Sequence, residues 1–416
     1  MVTVTLVAAL SATALWQQWR HTEVEQAERD IARLSQGDQG QLRVALECHT
    51  CFDWLMPVMD EFRKRWPEVE IDLVSGFHSE PAELLRSGVD VQEIARMPMP
   101  AEIRESDYVV GRQLHGGWLD LQEVLRGILY QGGLAINPLQ RLADIQKKAM
   151  SLLHADADDS LFCLYQALAD DSLGYCATHA LLCAVMCELT ATKLGIDAAH
   201  RHSLVAAALT MNIGMARDQD SMARQSSAIT EWQRGLVKDH PLLGERMLRE
   251  LGVDDPLQLD LVRWHHTPLS EEGLPANLVN RRLLNLTDVF VARTAARSTR
   301  SALSPVAAVK SMVFGAEGDD LGLGSAMAQA VGFYPPGTYV KLSNGEVAVA
   351  VQRGQRANTP WVISIVGSDA MPLAKYQRTS TTEPRTAIHS PVNFDKIKVT
   401  VSADKVQKAR ERIPKP

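Results

Sequence analysis

The apolar positions of this chain change period along its length, and each change marks a different kind of structure. Residues 2–16, VTVTLVAALSATALW, are uncharged and mostly apolar. The run is shorter than the about 20 residues of a spanning helix and has no basic start, so a membrane anchor is the minor reading. Residues 22–35 put Val24, Ala27, Ile31 and Leu34 on one stripe of a charged helix. A strand at 41–46, a helix at 51–67 closed by Pro67, an alternating strand at 69–76 and a helix at 79–88 follow. This β-α-β-α order predicts a parallel sheet. Met-Pro-Met-Pro at 97–100 breaks the pattern and reads either as an interdomain linker or as the seam of a fusion. Residues 101–138 are mixed, with His-Gly-Gly-Trp and Gln-Gly-Gly suggesting turns between short strands.

From 139 onward the apolar residues recur at helical spacing. Helices are expected at 138–155, 160–170, 173–195, 197–211, 228–250, 255–265, 276–298, 303–314 and 319–331, with Gly195 as a C-terminal stop. The stretch AALTMNIGM, 207–215, reads as a helix that ends at a glycine. Then the period falls to two. Asn344-Gly345 between alternating runs at 337–352 signals a β-hairpin, and 361–366 adds a third strand. The polar stretch after about 375 reads as a solvated end.

Composition narrows the class. The 416 residues allow two or three domains, and 46% hydrophobic with 22% charged residues is ordinary for a globular chain. A net charge of −7 argues against a generally nucleic-acid-binding surface. Six scattered cysteines fit a reducing cytoplasm better than a disulfide framework, so the expected location is cytoplasmic. There is no P-loop and no Gly-x-Gly-x-x-Gly opening a helix.

Candidate chemistry concentrates in the helical block. His179, His240 and the pair His265-His266 lie there, with Asp288 downstream on a helix that begins near Arg281-Arg282. Imidazoles and a carboxylate drawn from several helices are the ligand types of a hydrolytic divalent-metal centre. Against this stands the ordinary fate of any one histidine, a surface or satisfied core residue. Cys176, His179, Cys183 and Cys187 fall near one helix face. A structural zinc site needs convergence from more than one element, so these cysteines read as small buried apolar residues. Cys48-x-x-Cys51 has no second half to support a redox or zinc role.

Two resemblances fall on these residues. QAERDIARLSQGDQGQLRVALECHTCFDWLMPVMDEFRKRWPEVEIDLVSGFHSEP, from residue 26, resembles the linker helix and first βαβ unit of LysR-type transcriptional regulators of the methionine-regulator kind. That family's DNA-binding helix-turn-helix is not expected in this chain, and GVDVQEIARM replaces its third strand. A sheet cut to two strands is expected, poorly covered and without regulator function.

The second resemblance covers about 150–350. ATHALLCAV, KDHPLLGERML, VRWHHTPLSEEGLP, RRLLNLTDVFVARTAARSTR and GFYPPGTYVKLSNGEVAVAV are similar, in that order, to segments of the HD-GYP family of cyclic di-GMP phosphodiesterases. The resemblance implies His179, His240, His265, His266 and Asp288 as metal ligands, and Arg282 and Arg297 as contacts to a phosphate-bearing ligand such as cyclic di-GMP. It also implies a diguanylate cyclase as a docking partner. The departures are as specific. Met211 and Asn212 stand where the family has its His-Asp pair, and Met215 where it has a lysine. Thr267 replaces a glutamate, Leu274 the tyrosine of Gly-Tyr-Pro, Val291 an acid and Thr299 a tyrosine. A thioether is a poor ligand for hard ions, and a neutral amide cannot offset two divalent charges. One ion (iron, manganese or zinc) is expected at most. Asp218 and Asp220 are expected beyond the motif in a loop, too far on to replace the lost ligands.

The expected architecture is mainly α: an HD-type helical bundle over 139–335 with a small β extension at 336–375, and a polar tail at 376–416. A mixed segment (97–138), a truncated regulator-like βαβ fragment (41–96) and an apolar run with its helix (1–40) precede it. The expected function is a degenerate HD-GYP-like binding or interaction module of cyclic di-GMP signalling. The alternatives are an active phosphodiesterase with an unusual metal site and a transcription-regulator remnant.

Overall fold

The computed structural model describes the strands at 3–7, 40–46 and 69–75, and residues 117–410 apart from 136, 171–172, 296–301, 314–318, 398, 400 and 402. The chain divides into two units between Gly111 and Arg112, and Met-Pro-Met-Pro lies within the first.

In the first unit, β1 (Thr3–Val7), β2 (Gly40–Leu46) and β3 (Val69–Ser75) form a parallel sheet in that order. Thr3 pairs with Gln41, and Gly40 with Val69. The expected sheet of two strands is therefore three. The extra one comes from the apolar N-terminal run, whose Val-Thr-Val-Thr alternation of β-branched residues suits a strand at the free edge of β2. The helices expected at 22–35, 51–67 and 79–88 lie outside the described residues.

The second unit is mainly helical and ends in a small antiparallel sheet. Its helices are α1 (Trp118–Gln131), α2 (Pro138–Ala155), α3 (Ala157–Leu168), α4 (Tyr175–Lys193), α5 (Ala198–Thr210), α6 (Ala216–Arg224), α7 (Glu231–Glu250), α8 (Pro256–Trp264), α9 (Leu278–Thr294), α10 (Pro305–Val313) and α11 (Asp319–Val331). α4 is the axis. It is long and apolar enough to cross a membrane, but 83% of its apolar window is buried inside the fold. α1, α3, α5, α6, α9 and α11 all pack against it. A helix surrounded on every side has no polar face to show, and Ala177, Ala180, Cys183, Ala184, Cys187 and Ala191 give its neighbours close approach. Gly195 ends it with φ of 73°, its N–H bonding to Thr192 and that of Ile196 to Ala191, a Schellman stop.

Three expectations change. Residues 118–131 form a helix rather than short strands: Trp118, Leu121, Leu125, Ile128 and Leu129 share its buried face, and the glycines that suggested turns stand at its two ends. Residues 216–224 form α6 rather than a loop. Their charge conceals a buried stripe of Ala216, Gln219, Asp220 and Met222. The polar end is also structured. β4 (Tyr339–Leu342), β5 (Val347–Gln352), β6 (Trp361–Val366), β7 (Pro372–Ser380) and β8 (Ile388–Val392) form one sheet in the order β7-β6-β5-β4-β8. After it, α12 (Ala403–Arg410) buries Val406 and Ala409 against the sheet, and Arg410 pairs with Asp156 and Asp159 where α2 meets α3.

Candidate functional site

His240 lies inside α7, directly before Pro241. Proline has no N–H, so the carbonyl of Val237, four residues back, loses its helical partner. The His240 Nδ1 takes that place at 2.7 Å. His265 caps the C-terminal end of α8, where carbonyls also lack intrahelical partners. Its Nδ1 meets the Val262 carbonyl at 2.8 Å. A carbonyl only accepts, so both rings carry their proton on Nδ1 and turn a bare Nε2 lone pair the other way. Those two Nε2 atoms face each other at 3.1 Å. Both rings are fully buried. Burial first, and the neighbouring His266 next, lower His240 to about 4 and His265 to about 3, so neither supplies a proton to the gap near neutral pH. His266 closes the group, its ring centroid 4.1 Å from His265 and 5.0 Å from His240, and is the member exposed to solvent. Asn285 donates to the His265 carbonyl at 2.7 Å and ties the histidine pair to α9.

One turn beyond Asn285, Asp288 accepts from His179 Nε2 at 2.8 Å, and its other oxygen lies 3.8 Å from His266 Nδ1. Burial alone would raise this carboxyl. The hydrogen bond from His179 first, and the surrounding imidazoles after it, instead hold it well below the usual carboxylate range. Tyr175 bonds His179 Nδ1 at 2.8 Å from the first turn of α4. The five residues expected as ligands are thus brought together from α4, α7, α8 and α9, in two groups joined by His266 and Asp288. The three-histidine group has the donor set and the orphaned lone pairs that fit a divalent ion: metal–nitrogen bonds of about 2.0–2.1 Å set tetrahedral edges of about 3.3 Å.

Cys183, read from the sequence as a small buried residue, is buried and also stands beside His179. Cys183 Sγ lies 3.5 Å from His179 Nε2, and His179, Cys183 and Asp288 form a second group of closely placed ligand atoms. The signal was the four-residue spacing from His179, which puts the thiol on the same helix face.

The turn at 211–215 docks on α7. A Cβ at Gly214 would sit 2.7 Å from the His240 carbonyl, so only glycine permits this approach. Met211 is fully buried, and the Asn212 Nδ2 is buried without a hydrogen-bond partner. Asp220 belongs to neither group of ligand atoms. It accepts from the Cys176 N–H at 2.5 Å and from Tyr130 at 2.5 Å, fixing the start of α4. Arg282 is half-buried on α9, whereas its neighbour Arg281 is buried and donates to the Ser270 carbonyl at 3.0 Å. Arg297 and Thr299 lie outside the described residues.

Two segments of the chain match known protein families. Residues 163–319 match the HD domain family, and residues 35–105 match the LysR substrate binding domain. The HD match falls within the second unit and the LysR-type match within the first. The cyclic di-GMP phosphodiesterase PA4108 of Pseudomonas aeruginosa is 29% identical over 163 residues, 38% of this chain and 39% of that protein. The HTH-type transcriptional regulator MetR of Haemophilus influenzae is 53% identical over 92 residues, 22% of this chain and 28% of that protein. The chain therefore spans well under half the length of either relative. Among solved structures, the HDG"Y"P protein Bd1817 from Bdellovibrio bacteriovorus overlaps with a TM-score of 0.37 at 13% identity, covering 55% of this chain and 77% of that one.

Proposed function

We propose that the HD domain is a metal-holding module of cyclic di-GMP signalling, binding a phosphate-bearing ligand with hydrolysis lost or weak, and acting in the cytoplasm. The observation that carries this reading is the turn at 211–215. Met211 and Asn212 bring a buried thioether and a neutral amide to the place where the resemblance puts a histidine and a bridging aspartate. His240, His265 and His266 would hold one divalent ion (zinc, iron or manganese), with His179 and Asp288 beside it. A bound ion there would supply Lewis acidity toward a phosphate oxygen. Arg282, and Arg297 further along, would receive the phosphates in the fork geometry that guanidinium offers. Docking to a diguanylate cyclase belongs to the same reading.

The test uses the full purified chain: its iron, manganese and zinc content, equilibrium binding of cyclic di-GMP, and its hydrolysis. Binding that Arg282→Ala weakens, without turnover, supports the module. Two ions per chain together with turnover that His265→Ala abolishes would replace it with an active phosphodiesterase, the reading that the convergence of all five expected ligands favours.

A further inference from the structure

We propose that Cys183 is a metal ligand, and that His179, Cys183 and Asp288 form a sulfur-bearing half-site selecting a borderline-soft ion such as zinc. This rests on reading the cluster as metal-binding and goes further by naming a ligand and an ion class. Cys183 is fully buried, yet its neighbours are not those of an inert core thiol. Its sulfur lies 3.5 Å from His179 Nε2, within the group that includes Asp288. Zinc–sulfur and zinc–nitrogen bonds of about 2.3 and 2.0–2.1 Å set a tetrahedral edge of about 3.5 Å, so the pair is already spaced for one ion. The ligands come from two helices, α4 and α9, the convergence that a single-helix cysteine stripe lacks. The His179–Asp288 hydrogen bond at 2.8 Å is shorter than a nitrogen–oxygen edge and opens slightly as the ion enters; the Nε2–H bond breaks as the metal–nitrogen bond forms, and the ring keeps one proton on Nδ1, donated to the Tyr175 hydroxyl. When the metal–sulfur bond forms, the Cys183 S–H bond breaks and its proton leaves to solvent. A thiolate ligand favours zinc and cobalt over manganese or magnesium, which prefer oxygen. With Met211 and Asn212 unable to hold a hard ion, sulfur moves the preference of the site in the same direction.

Cobalt(II) is the probe, because thiolate coordination gives it a near-ultraviolet sulfur-to-metal charge-transfer band. The full chain is titrated in a Cys48→Ser, Cys51→Ser background, so that the Cys-x-x-Cys pair does not contribute. The expected result is a charge-transfer band that Cys183→Ser removes and Cys187→Ala, one turn further along α4, retains. Cys183→Ser should also weaken zinc binding by about tenfold or more while changing manganese binding less. Circular dichroism on each variant checks that it is folded, and the band in the parent chain needs no variant at all. Cobalt bound without the band overturns the role of Cys183 and leaves the histidine reading in place. No cobalt bound overturns both.

Discussion

His240 and His265 turn their Nε2 atoms toward each other at 3.1 Å, each with its Nδ1 proton already donated to a carbonyl three residues back in its own helix. Two neutral lone pairs at that distance repel unless a cation lies with them. Removing divalent ions with a chelator should therefore lower the melting temperature of the full chain, and adding zinc back should raise it. At a hundredfold excess over Kd the gain is about 2.7 kcal/mol, a shift of several degrees. His265→Ala should abolish the shift, which scanning fluorimetry with and without chelator measures directly.

The same pair sets a pH dependence for the metal-free protein. His240 at about 4 and His265 at about 3 lie below the ordinary histidine value of about 6.5. Between those limits the unfolded chain binds protons that the folded one refuses. Stability is therefore complete above about pH 6.5 and falls as the pH drops toward 4, by up to about 1.4 kcal/mol per group per pH unit. Asp288, held in the opposite sense for a carboxylate, keeps its contribution across this window and loses it only in stronger acid. Urea unfolding between pH 7.5 and 5 reads the slope; a flat profile would mean that the rings are not held neutral.

Pro241 exchanges helix stability for ring orientation. Pro241→Ala returns an N–H to α7, and that N–H competes with His240 Nδ1 for the Val237 carbonyl. The variant should melt at a higher temperature yet bind zinc about 10-fold to 100-fold more weakly, as loss of an orienting contact does. Calorimetric titration beside a melting curve separates the two effects.

Restoring the missing pair is the most direct manipulation of the site. Met211→His combined with Asn212→Asp should raise bound metal toward two ions per chain. Cyclic di-GMP hydrolysis should increase by at least about tenfold if a bridged centre is what the chain lacks. Elemental analysis and product chromatography report on the two halves independently. More metal with no gain in turnover would place the deficit at Thr267, Leu274 or Val291 instead.

Much of this fold was legible because its signals are local. Gly195 ends α4 and Asn344-Gly345 turns the hairpin as the sequence pattern requires, with Gly345 at φ of 90°. The convergence of His179, His240, His265, His266 and Asp288 followed from the order of the segments that carry them. The misses share one cause: each depends on a distant partner. Nothing near Val4 or Leu6 announces β2 as its neighbour. The strand at 388–392 is specified by pairing with 339–342, and α12 by two aspartates at the start of α3. Charge hid α6, because its buried face includes Asp220, whose partners are on α1 and α4. Cys183 was read as a small buried residue, and it is one; that Asp288 of α9 lies across from it is a long-range fact that the α4 sequence does not carry.

Asp220 carries a consequence for how this region can change. The segment from Met211 to Asp220 has two roles at different residues: its first two are where the resemblance puts the His-Asp pair, and its last anchors the amide of Cys176 one turn below His179. The chemistry and the scaffold are therefore separable within ten residues of one chain. Substitutions at 211 and 212 can come and go while the frame that aims His179 stands. A change at 220 would let the whole axis helix drift out of register with every ligand it bears.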